Sequence, residues 1–416
     1  MSFIKLLKKN ILQLDINTLL YVFFLLITTS FFFFDSFRSV QTLFSLLVSL
    51  AILSRRKLQF ATILLPLFLI VLFINGIKIL NIENYGLVGA ASPSGLNILI
   101  FFSCLITEKP SFIYKIFNFY LKIFIFMNSF SIFYYINILF GWGAAYEIIN
   151  LAGRGFIYRN YSNLAIFTDY TIYDFGSFTI SRLGGMFEEP GMLATYAGIL
   201  LVADIIVFPN RKFTKFMLVT FGILSLSLAF AIFLFFIGIY YLFNAKLNSK
   251  KTLKKIIISL ILIILITRLV IPEEIRIAYE IHLLNRLEIQ DGQLAGDNRS
   301  IYQDTFESYF QRANVVQLAF GNGIGSNIQS QQASYASYHR FFYEMGFIGF
   351  SLLLIYPIYF LVYIPLITKK IRYLPLTVVC GLSLYQRPDF LSAHYFILYA
   401  IILFVLGKRY KFNILN

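Results

Sequence analysis

Charged residues are scarce in this chain of 416 residues: Asp, Glu, Lys and Arg make up 13% of it, against 59% for the hydrophobic residues. A soluble globular domain carries about 25% charged residues, so the composition excludes an ordinary soluble domain. Apolar runs of about 20 residues recur along the chain, and each is long enough to cross about 30 Å of hydrocarbon as a helix. We therefore predict an all-α polytopic membrane protein that forms one membrane-embedded domain over residues 1–416.

Cysteine and histidine are also rare, with two and three copies. Cys104 and Cys380 both fall in apolar runs, which argues against a disulfide framework and against a thiolate metal site. His282, His339 and His394 come from distant parts of the chain and give no zinc-binding spacing. The sequence therefore predicts neither a metal nor a cofactor.

Lysine is missing from the long polar segment at residues 272–338, although lysine is present in most other polar parts of the chain. The segment holds four arginines: Arg276, Arg286, Arg299 and Arg312. Cytoplasmic loops of membrane proteins concentrate Lys and Arg, whereas long translocated loops do not. The segment is therefore predicted to face outward.

The net charge of +15 comes from small basic clusters that recur about one membrane hairpin apart. This spacing indicates membrane topology and not a nucleic-acid surface. We predict about twelve spans, with both chain termini in the cytoplasm and with Lys78 as the only outward lysine. The spans are residues 16–34, 39–54, 58–75, 86–107, 112–140, 190–208, 213–227, 229–244, 256–271, 341–366, 374–386 and 392–407. The run 213–243 is divided into two crossings that turn near Ser225 to Ser227, because basic clusters flank both of its ends.

Two outer loops, residues 141–189 and 272–338, are too long to be turns. The second loop has apolar residues at helical spacing over 275–287, and a later helical run over 300–318 behind a cap candidate, Asn298. We predict two amphipathic helices there. The pattern of the first loop gives no secondary structure.

The densest group of candidate functional residues lies where the first long loop meets the sixth span. Pro190 suits the first turn of a helix, which places Glu189 at the cap and free N–H groups toward the outer side. Arg182, a few residues earlier, can bind phosphate oxygens with both arms of its guanidinium. A cap beside an interfacial arginine explains the same residues equally well.

A second group lies at the outer mouth of the tenth span. His339 and Tyr343 share a helix face, and an imidazole with a pKa near its reference of about 6.5 can accept a proton from a sugar hydroxyl. Arg340 follows directly, and Glu344 is expected to pair inside the protein. The alternative is an aromatic and basic belt at the membrane interface.

The glycine-rich stretch at residues 321–326 lacks both a preceding strand and a following Gly-Lys-Ser, so it fails as a nucleotide-binding loop. We predict a turn that brings the second loop back toward His339.

Taken together, these features resemble the Wzy-type polymerases of O-antigen and capsular polysaccharide. The resemblance covers the twelve spans and two long outer loops, and its short motifs are Arg182 to Gly191, Asn285-Arg286, Asp297-Asn298-Arg299-Ser300 and residues 321–325 and 339–349. It implies a GT-C-like glycosyltransferase of the bacterial inner (plasma) membrane that acts without a metal and with inversion.

In this family the donor is a glycan on undecaprenyl pyrophosphate and the acceptor is a repeat unit on the same carrier. A chain-length-regulating co-polymerase is a further partner that the resemblance suggests. An O-antigen ligase, which transfers the glycan to lipid A core, shares most of the plan, and a flippase for lipid-linked repeat units is a third reading.

The resemblance also implies roles for individual residues. Arg182 and Arg299, with Arg286 or Arg312, would hold pyrophosphate, because arginine stays charged and binds phosphate with two N–H groups. The base would be His339 or Glu189, and Arg340 would support it.

Overall fold

The computed structural model describes residues 15–29, 31, 38–56, 64–80, 95–143, 145–150, 157–169, 172–174, 179–244, 289–290, 293–294, 303–323, 326, 337–368 and 374–386. Most of these residues are helical. The helices are α1 (Ile16–Thr28), α2 (Arg38–Leu53), α3 (Leu65–Leu80), α4 (Leu96–Leu105), α5 (Pro110–Leu139), α6 (Pro190–Val207), α7 (Phe213–Leu224), α8 (Leu228–Asn244), α9 (Gln303–Arg312), α10 (Val315–Phe320), α11 (Ser337–Thr368) and α12 (Leu374–Gln386).

Two stretches, Ser111–Leu139 in α5 and Pro190–Val207 in α6, are long and apolar enough to cross a membrane, and several shorter helices are apolar as well. This architecture is compatible with a membrane protein. Helix α6 lies at the centre of the packing, because nearly all of its side chains are buried.

The helix bounds lie within two residues of the expected spans in α2, α5, α6, α8 and α12 and differ more elsewhere. Helix α1 ends at Thr28 and not near residue 34, since the Thr28 and Thr29 hydroxyls bond to the carbonyls of Phe24 and Leu25 and the backbone at Thr29 is extended. Helix α3 begins at Leu65, later than expected. The spans expected at 256–271 and 392–407 lie outside the described residues.

Short strands correct the all-α expectation. In the first long loop, β1 (Glu147–Asn150), β2 (Ile157–Tyr161) and β3 (Ala165–Thr168) form an antiparallel sheet in that order, and β4 (Ile172–Asp174) pairs with β5 (Thr179–Ser181). The second loop contains a small hairpin of β6 (Ile289–Gln290) and β7 (Gln293–Leu294). Ser162 and Asn163 both take positive φ at the β2–β3 turn, as in type I′ hairpins.

Three ion pairs gather at one end of the helices. Lys115 Nζ lies 3.3 Å from Asp15 Oδ2, Arg56 Nε lies 2.6 Å from Glu108 Oε1, and Lys215 Nζ lies 3.1 Å from Asp204 Oδ2. Aromatic rings join them around the first turns of α5. Phe208 packs on Tyr114 and Phe117, and the Arg56 guanidinium lies over Phe112. We call these six charged residues the ionic end.

The ionic end combines basic clusters that the sequence placed on one side of the membrane. Asp204, although it lies inside an apolar helix, also belongs to this end and is fully buried beside Lys215. Asp204 lies three residues before the end of α6 at Val207.

At the opposite end of α6, the segment after β5 lies beside the turn between α7 and α8. The Leu183 N–H donates to the Leu224 carbonyl at 2.9 Å, and Arg182 Nε donates to the Ser225 carbonyl at 3.1 Å. We call residues 182–190 and 225–227 the loop end.

Helices α7 and α8 are separate and antiparallel, with the turn at the expected residues. Helix α7 starts at the ionic end with Lys215 and reaches the loop end at Leu224. Helix α8 returns, since Tyr241 in its last turns lies close enough to Asp204 to interact with its charge. Leu226 takes a positive φ of 45° at the turn.

Candidate functional site

Two glycines let residues 182–190 pack closely against α5 and β3. Gly185 has a φ of +64°, and a Cβ there would lie 2.5 Å from Asn128 Oδ1, while a Cβ on Gly184 would lie 2.7 Å from the Ile166 carbonyl oxygen. The same neighbours hold the segment in place. The Met186 N–H donates to Asn128 Oδ1 at 3.3 Å, and the Ile166 N–H donates to the Gly185 carbonyl at 2.8 Å.

The junction with α6 confirms the expected cap. Pro190 occupies the first turn, and Glu189 is the cap residue with extended backbone angles. The Glu189 carbonyl accepts the N–H groups of Met192 and Leu193, and its side chain makes no capping bond. Its carboxylate is therefore not used to close the helix, and the residue is half-buried.

Arg182 lies in the same short segment and is also half-buried. Its Nε donates to the Ser225 carbonyl, one of the groups left over at the end of α7. A guanidinium has five N–H donors, so this bond fixes the side chain and uses one of them.

Sequence reasoning missed the carboxylate next to Glu189. The hydroxyl of Tyr158, a fully buried residue of β2, donates to Glu188 Oε1 at 2.9 Å. The bond ties the three-stranded sheet to the start of α6. The two adjacent glutamates are plain in the sequence, but only the fold shows that a tyrosine of the first loop donates a hydrogen bond to the first of them.

His339 lies on the first part of α11 and is 4% exposed. The ring of Phe306 in α9 covers it, with 4.6 Å between the ring centroids. One turn later, Tyr343 packs on Tyr309 of the same helix at 4.8 Å. The expected shared face of His339 and Tyr343 is thus present, and it is the face that packs on α9.

The resemblance implied that Arg340 supports His339 or Glu189, but the partner of Arg340 among the described contacts is Glu344. Its Nε donates to Glu344 Oε1 at 3.0 Å, and Glu344 is 2% exposed. A buried carboxylate needs a partner, and the residue one turn earlier on the same helix supplies it. The internal pairing expected of Glu344 is confirmed.

Helix α11 is broken at Gly346, which has φ +64° and ψ −171°. The break frees the carbonyls of Tyr343 and Glu344, and the N–H groups of Asn322 and Gly323 donate to them at 2.9 and 3.0 Å. The glycine-rich stretch is therefore a docking turn, as expected. It holds the second long loop against the helix that carries His339.

The second helical run of that loop is not continuous. It divides into α9 and α10 because Asn314 starts a new helix with a capping box, its side chain accepting the Gln317 N–H. Arg312 lies in the last turn of α9 and is exposed. Asn298, Arg286 and Arg299 lie outside the described residues.

The break in α11 lies at the same end of the helices as residues 182–190. Gly95, just before α4, is close to α3, since a Cβ on it would lie 2.9 Å from Val71. Phe73, two residues after Val71 in α3, packs against Gly349 of α11. The other end of α4 leads to Glu108 at the ionic end. Gly349, three residues after the break, therefore lies on the far side from the ionic end.

The described contacts of the candidate residues form two groups. One group ties Arg182, Glu188 and Glu189 to the sheet, α5 and the α7–α8 turn, and the other ties His339 and Arg340 to α9 and to Glu344. The first group brings a guanidinium and two carboxylates into one half-buried segment. Such a set can bind an anion and accept a proton.

Lys78 lies in the last turn of α3 and is 8% exposed; its place on the outer side of the membrane stays a prediction. Within the described part of the chain, no three His, Cys, Asp or Glu side chains gather as metal ligands. No protein-family model, curated protein or solved structure matches the chain.

Proposed function

We propose that this protein is a GT-C-like glycosyltransferase of a bacterial plasma membrane that polymerises lipid-linked oligosaccharide repeat units. The donor glycan on undecaprenyl pyrophosphate is transferred to a sugar hydroxyl of an acceptor on the same carrier. The ionic end faces the cytoplasm, in keeping with the enrichment of Lys and Arg in cytoplasmic loops, and the loop end faces outward.

The observation that carries the proposal is the segment of Arg182, Glu188 and Glu189 at the outward start of α6. Transfer from a lipid pyrophosphate needs a cation for the departing group and a base for the acceptor hydroxyl. Arg182 supplies a charge that is kept at every physiological pH, and it is held by the Ser225 carbonyl. The carboxylates supply a base a few residues away.

Burial separates the two candidate bases. His339 is 4% exposed beneath Phe306, so an acceptor must displace that ring or approach the imidazole from another side. Glu189 is half-buried in the same segment as Arg182 and closes no cap. The geometry therefore favours Glu189 for proton acceptance, with His339 as the competing base.

A paired comparison tests this choice. Glu189→Gln keeps the size of the side chain and removes its basicity, and it is expected to stop chain extension at normal protein levels; His339→Ala is expected to do so only if the imidazole is the base. Glycan length on gels is the readout. Wild-type chain length in Glu189→Gln would remove the glutamate from the mechanism.

Deleting the gene in its host tests the function itself. Under the proposal, the surface glycan shrinks to single repeat units that are still attached. Long lipid-linked chains with none attached would show a ligase, and loss of all outward repeat units would show a flippase.

A further inference from the structure

An open groove runs between α1 and α5 on the outside of the helices. It is lined by six residues of α1 and by Phe119 and Ile123 of α5, and its volume is about 340 Å³. All eight side chains are hydrocarbon. Three of them, Ile16, Leu19 and Phe23, follow one another at helical spacing along α1 and are 54%, 43% and 50% exposed. We call this surface the α1–α5 groove.

The α1–α5 groove begins at the ionic end. Asp15 is the cap residue of α1, and its Oδ2 lies 3.3 Å from Lys115 Nζ near the start of α5. From this ion pair the groove follows α1 as far as Leu26, eleven residues after Asp15, which is about 16 Å at about 1.5 Å per residue. Half of a hydrocarbon core about 30 Å thick has the same depth. The groove therefore has the length of the acyl chains of one leaflet.

Lys122 adds a charge at the edge of the groove. It lies two turns after Lys115 on α5, one turn after the lining residue Phe119 and directly before the lining residue Ile123. Side chains of a helix tilt toward its N-terminus, which directs Lys122 toward the ionic end. The residue is exposed, and within the described part of the chain it joins no ion pair, whereas Lys115 is paired with Asp15.

The depth of Lys122 favours a bound anion. The half-exposed ion pair of Asp15 and Lys115 suits the level of the lipid headgroups, and Lys122 lies about 10 Å deeper along α5. An ammonium in hydrocarbon is costly, so the side chain extends toward the polar layer while its methylene groups stay among apolar neighbours. The phosphate of a lipid seated in the groove can meet the ammonium there, where the low dielectric strengthens their attraction.

We propose that the α1–α5 groove binds an anionic phospholipid of the leaflet at the ionic end. One acyl chain lies in the groove, and the phosphate accepts hydrogen bonds from Lys122 Nζ. The groove holds the chain, and the charge selects the headgroup, since a zwitterionic lipid brings a cation of its own. The site lies at the opposite end of the helices from residues 182–190 and does not depend on the proposed glycosyl transfer.

Quenching of a single tryptophan by brominated lipids tests the proposal in the full-length protein. The chain has one tryptophan, so Trp142→Phe combined with Phe23→Trp places the only reporter in the groove. Leu47→Trp in α2, in the same background, is the matched control, since Leu47 is 52% exposed and does not line the groove. Phe23 lies eight residues after Asp15 and Leu47 nine residues before Arg56, so both reporters lie about 12–14 Å from the ionic end.

The lipid preference at the reporter is the quantity measured. Phosphatidylglycerol with brominated chains is expected to bind beside Phe23→Trp about fivefold more tightly than brominated phosphatidylcholine, which is about the effect of one lysine at an anionic surface. Leu47→Trp should be quenched about equally by the two lipids. Equal quenching at Phe23→Trp would overturn the proposal. Absence of quenching there by either lipid would show that another segment or a second copy fills the groove and would also overturn it.

Removal of one charge tests the role of Lys122. Lys122→Gln should abolish the preference for phosphatidylglycerol at Phe23→Trp. Lys212→Gln removes an exposed lysine before α7, changes the net charge equally and should leave the preference unchanged. Both positions are exposed, so the fold is expected to tolerate both changes. An unchanged preference in Lys122→Gln, or an equal loss in both variants, would overturn the assigned site.

Discussion

Two glycines shape the part of α11 that carries His339. Gly346 breaks the helix at φ +64°, and a Cβ there would lie 2.5 Å from the Ala319 carbonyl group; a Cβ on Gly321, at φ +79°, would collide with the backbone of Glu344. The two backbones pass so closely that only residues without a side chain fit at the crossing. The glycine-rich stretch was predicted to be a turn, but the break itself was not predicted, since one glycine in an apolar run is also compatible with a continuous helix.

Gly346→Ala is expected to lower the free energy of unfolding by about 2 kcal/mol or more, from backbone strain and the collision with Ala319. Gly76→Ala in α3 is the matched control, since a Cβ there meets nothing within 4 Å. Thermal unfolding in detergent measures both. Equal melting temperatures for the two variants would contradict the crossing of α10 and α11.

Asp204 is the most deeply buried member of the ionic end. It is 0% exposed, and Lys215 holds it while also donating to three backbone carbonyls after α6. Asp204→Asn leaves the Lys215 ammonium without its counter-charge and is expected to cost about 3 kcal/mol of stability. Asp15→Asn breaks an exposed ion pair and is expected to lower the stability by only about 0.2–1 kcal/mol. A reversed order of melting temperatures would contradict the assigned burial.

Asp15 gives a pH dependence with a definite sign. Partial burial raises the pKa of its carboxyl, but the Thr18 N–H and Lys115 outweigh that effect, so the pKa in the folded protein lies below its ordinary value. A carboxylate with a lowered pKa stabilises the fold above its unfolded pKa of about 3.9, and this contribution is lost as the pH falls through the folded pKa.

The stability difference between the wild type and Asp15→Asn should therefore be present at neutral pH and fade as the pH falls below about 4 and through the lower pKa of the folded protein. Asparagine can still accept the Thr18 N–H, so the comparison isolates the charge. Melting curves across the pH range are the measurement. A difference that grows as the pH falls would be the wrong sign.

Helices and loops differed in how well the sequence predicted them. The bounds of α5, α6 and α12 and the turn between α7 and α8 follow from apolar runs, a proline at a helix start and the placement of basic clusters. The strands of the first loop are short, and Ser162-Asn163 is the one tight turn that marks their pairing in the described residues. Local sequence patterns therefore do not predict them. Contacts such as Tyr158 with Glu188 depend on that pairing.

The docking of α9 and α10 on α11 depends on one side chain as well as on the glycines. Asn322 Nδ2 donates to the Tyr309 hydroxyl and the Tyr343 carbonyl, and its Oδ1 accepts from Gln317. Asn322→Ala removes these bonds and is expected to destabilise the loop by about 2 kcal/mol.

Because α9 carries the ring that covers His339, the same variant should also increase hydrogen exchange over α9 and at the start of α11. Gln311→Ala, at an exposed position of α9, is the control and should change neither. Unchanged exchange in Asn322→Ala would show that the turn does not hold the loop in place.

The described helices have two chemically distinct ends, and the proposed topology predicts which side of the membrane each end faces. Phe213 is 70% exposed and lies at the ionic end. Trp142 is 64% exposed and lies beyond the other end of α5. In intact cells a membrane-impermeant maleimide should label Trp142→Cys from outside, and Phe213→Cys only after the membrane is opened. Labelling of both from outside would contradict the two-sided arrangement. The placement of the basic clusters in the sequence predicted two different sides. That Asp204 and Glu108 form ion pairs with these clusters could be seen only in the folded structure.

Chain extension by the purified protein tests the central claim most directly. The wild type, in vesicles with lipid-linked repeat units extracted from a strain that lacks this gene, is expected to produce a ladder of glycans that grow by one repeat unit and remain on the lipid. Arg182→Gln should lower the rate about a hundredfold or more, since it removes charge stabilisation of the leaving pyrophosphate. Repeat units that stay single in the presence of folded wild-type protein would contradict the proposed function.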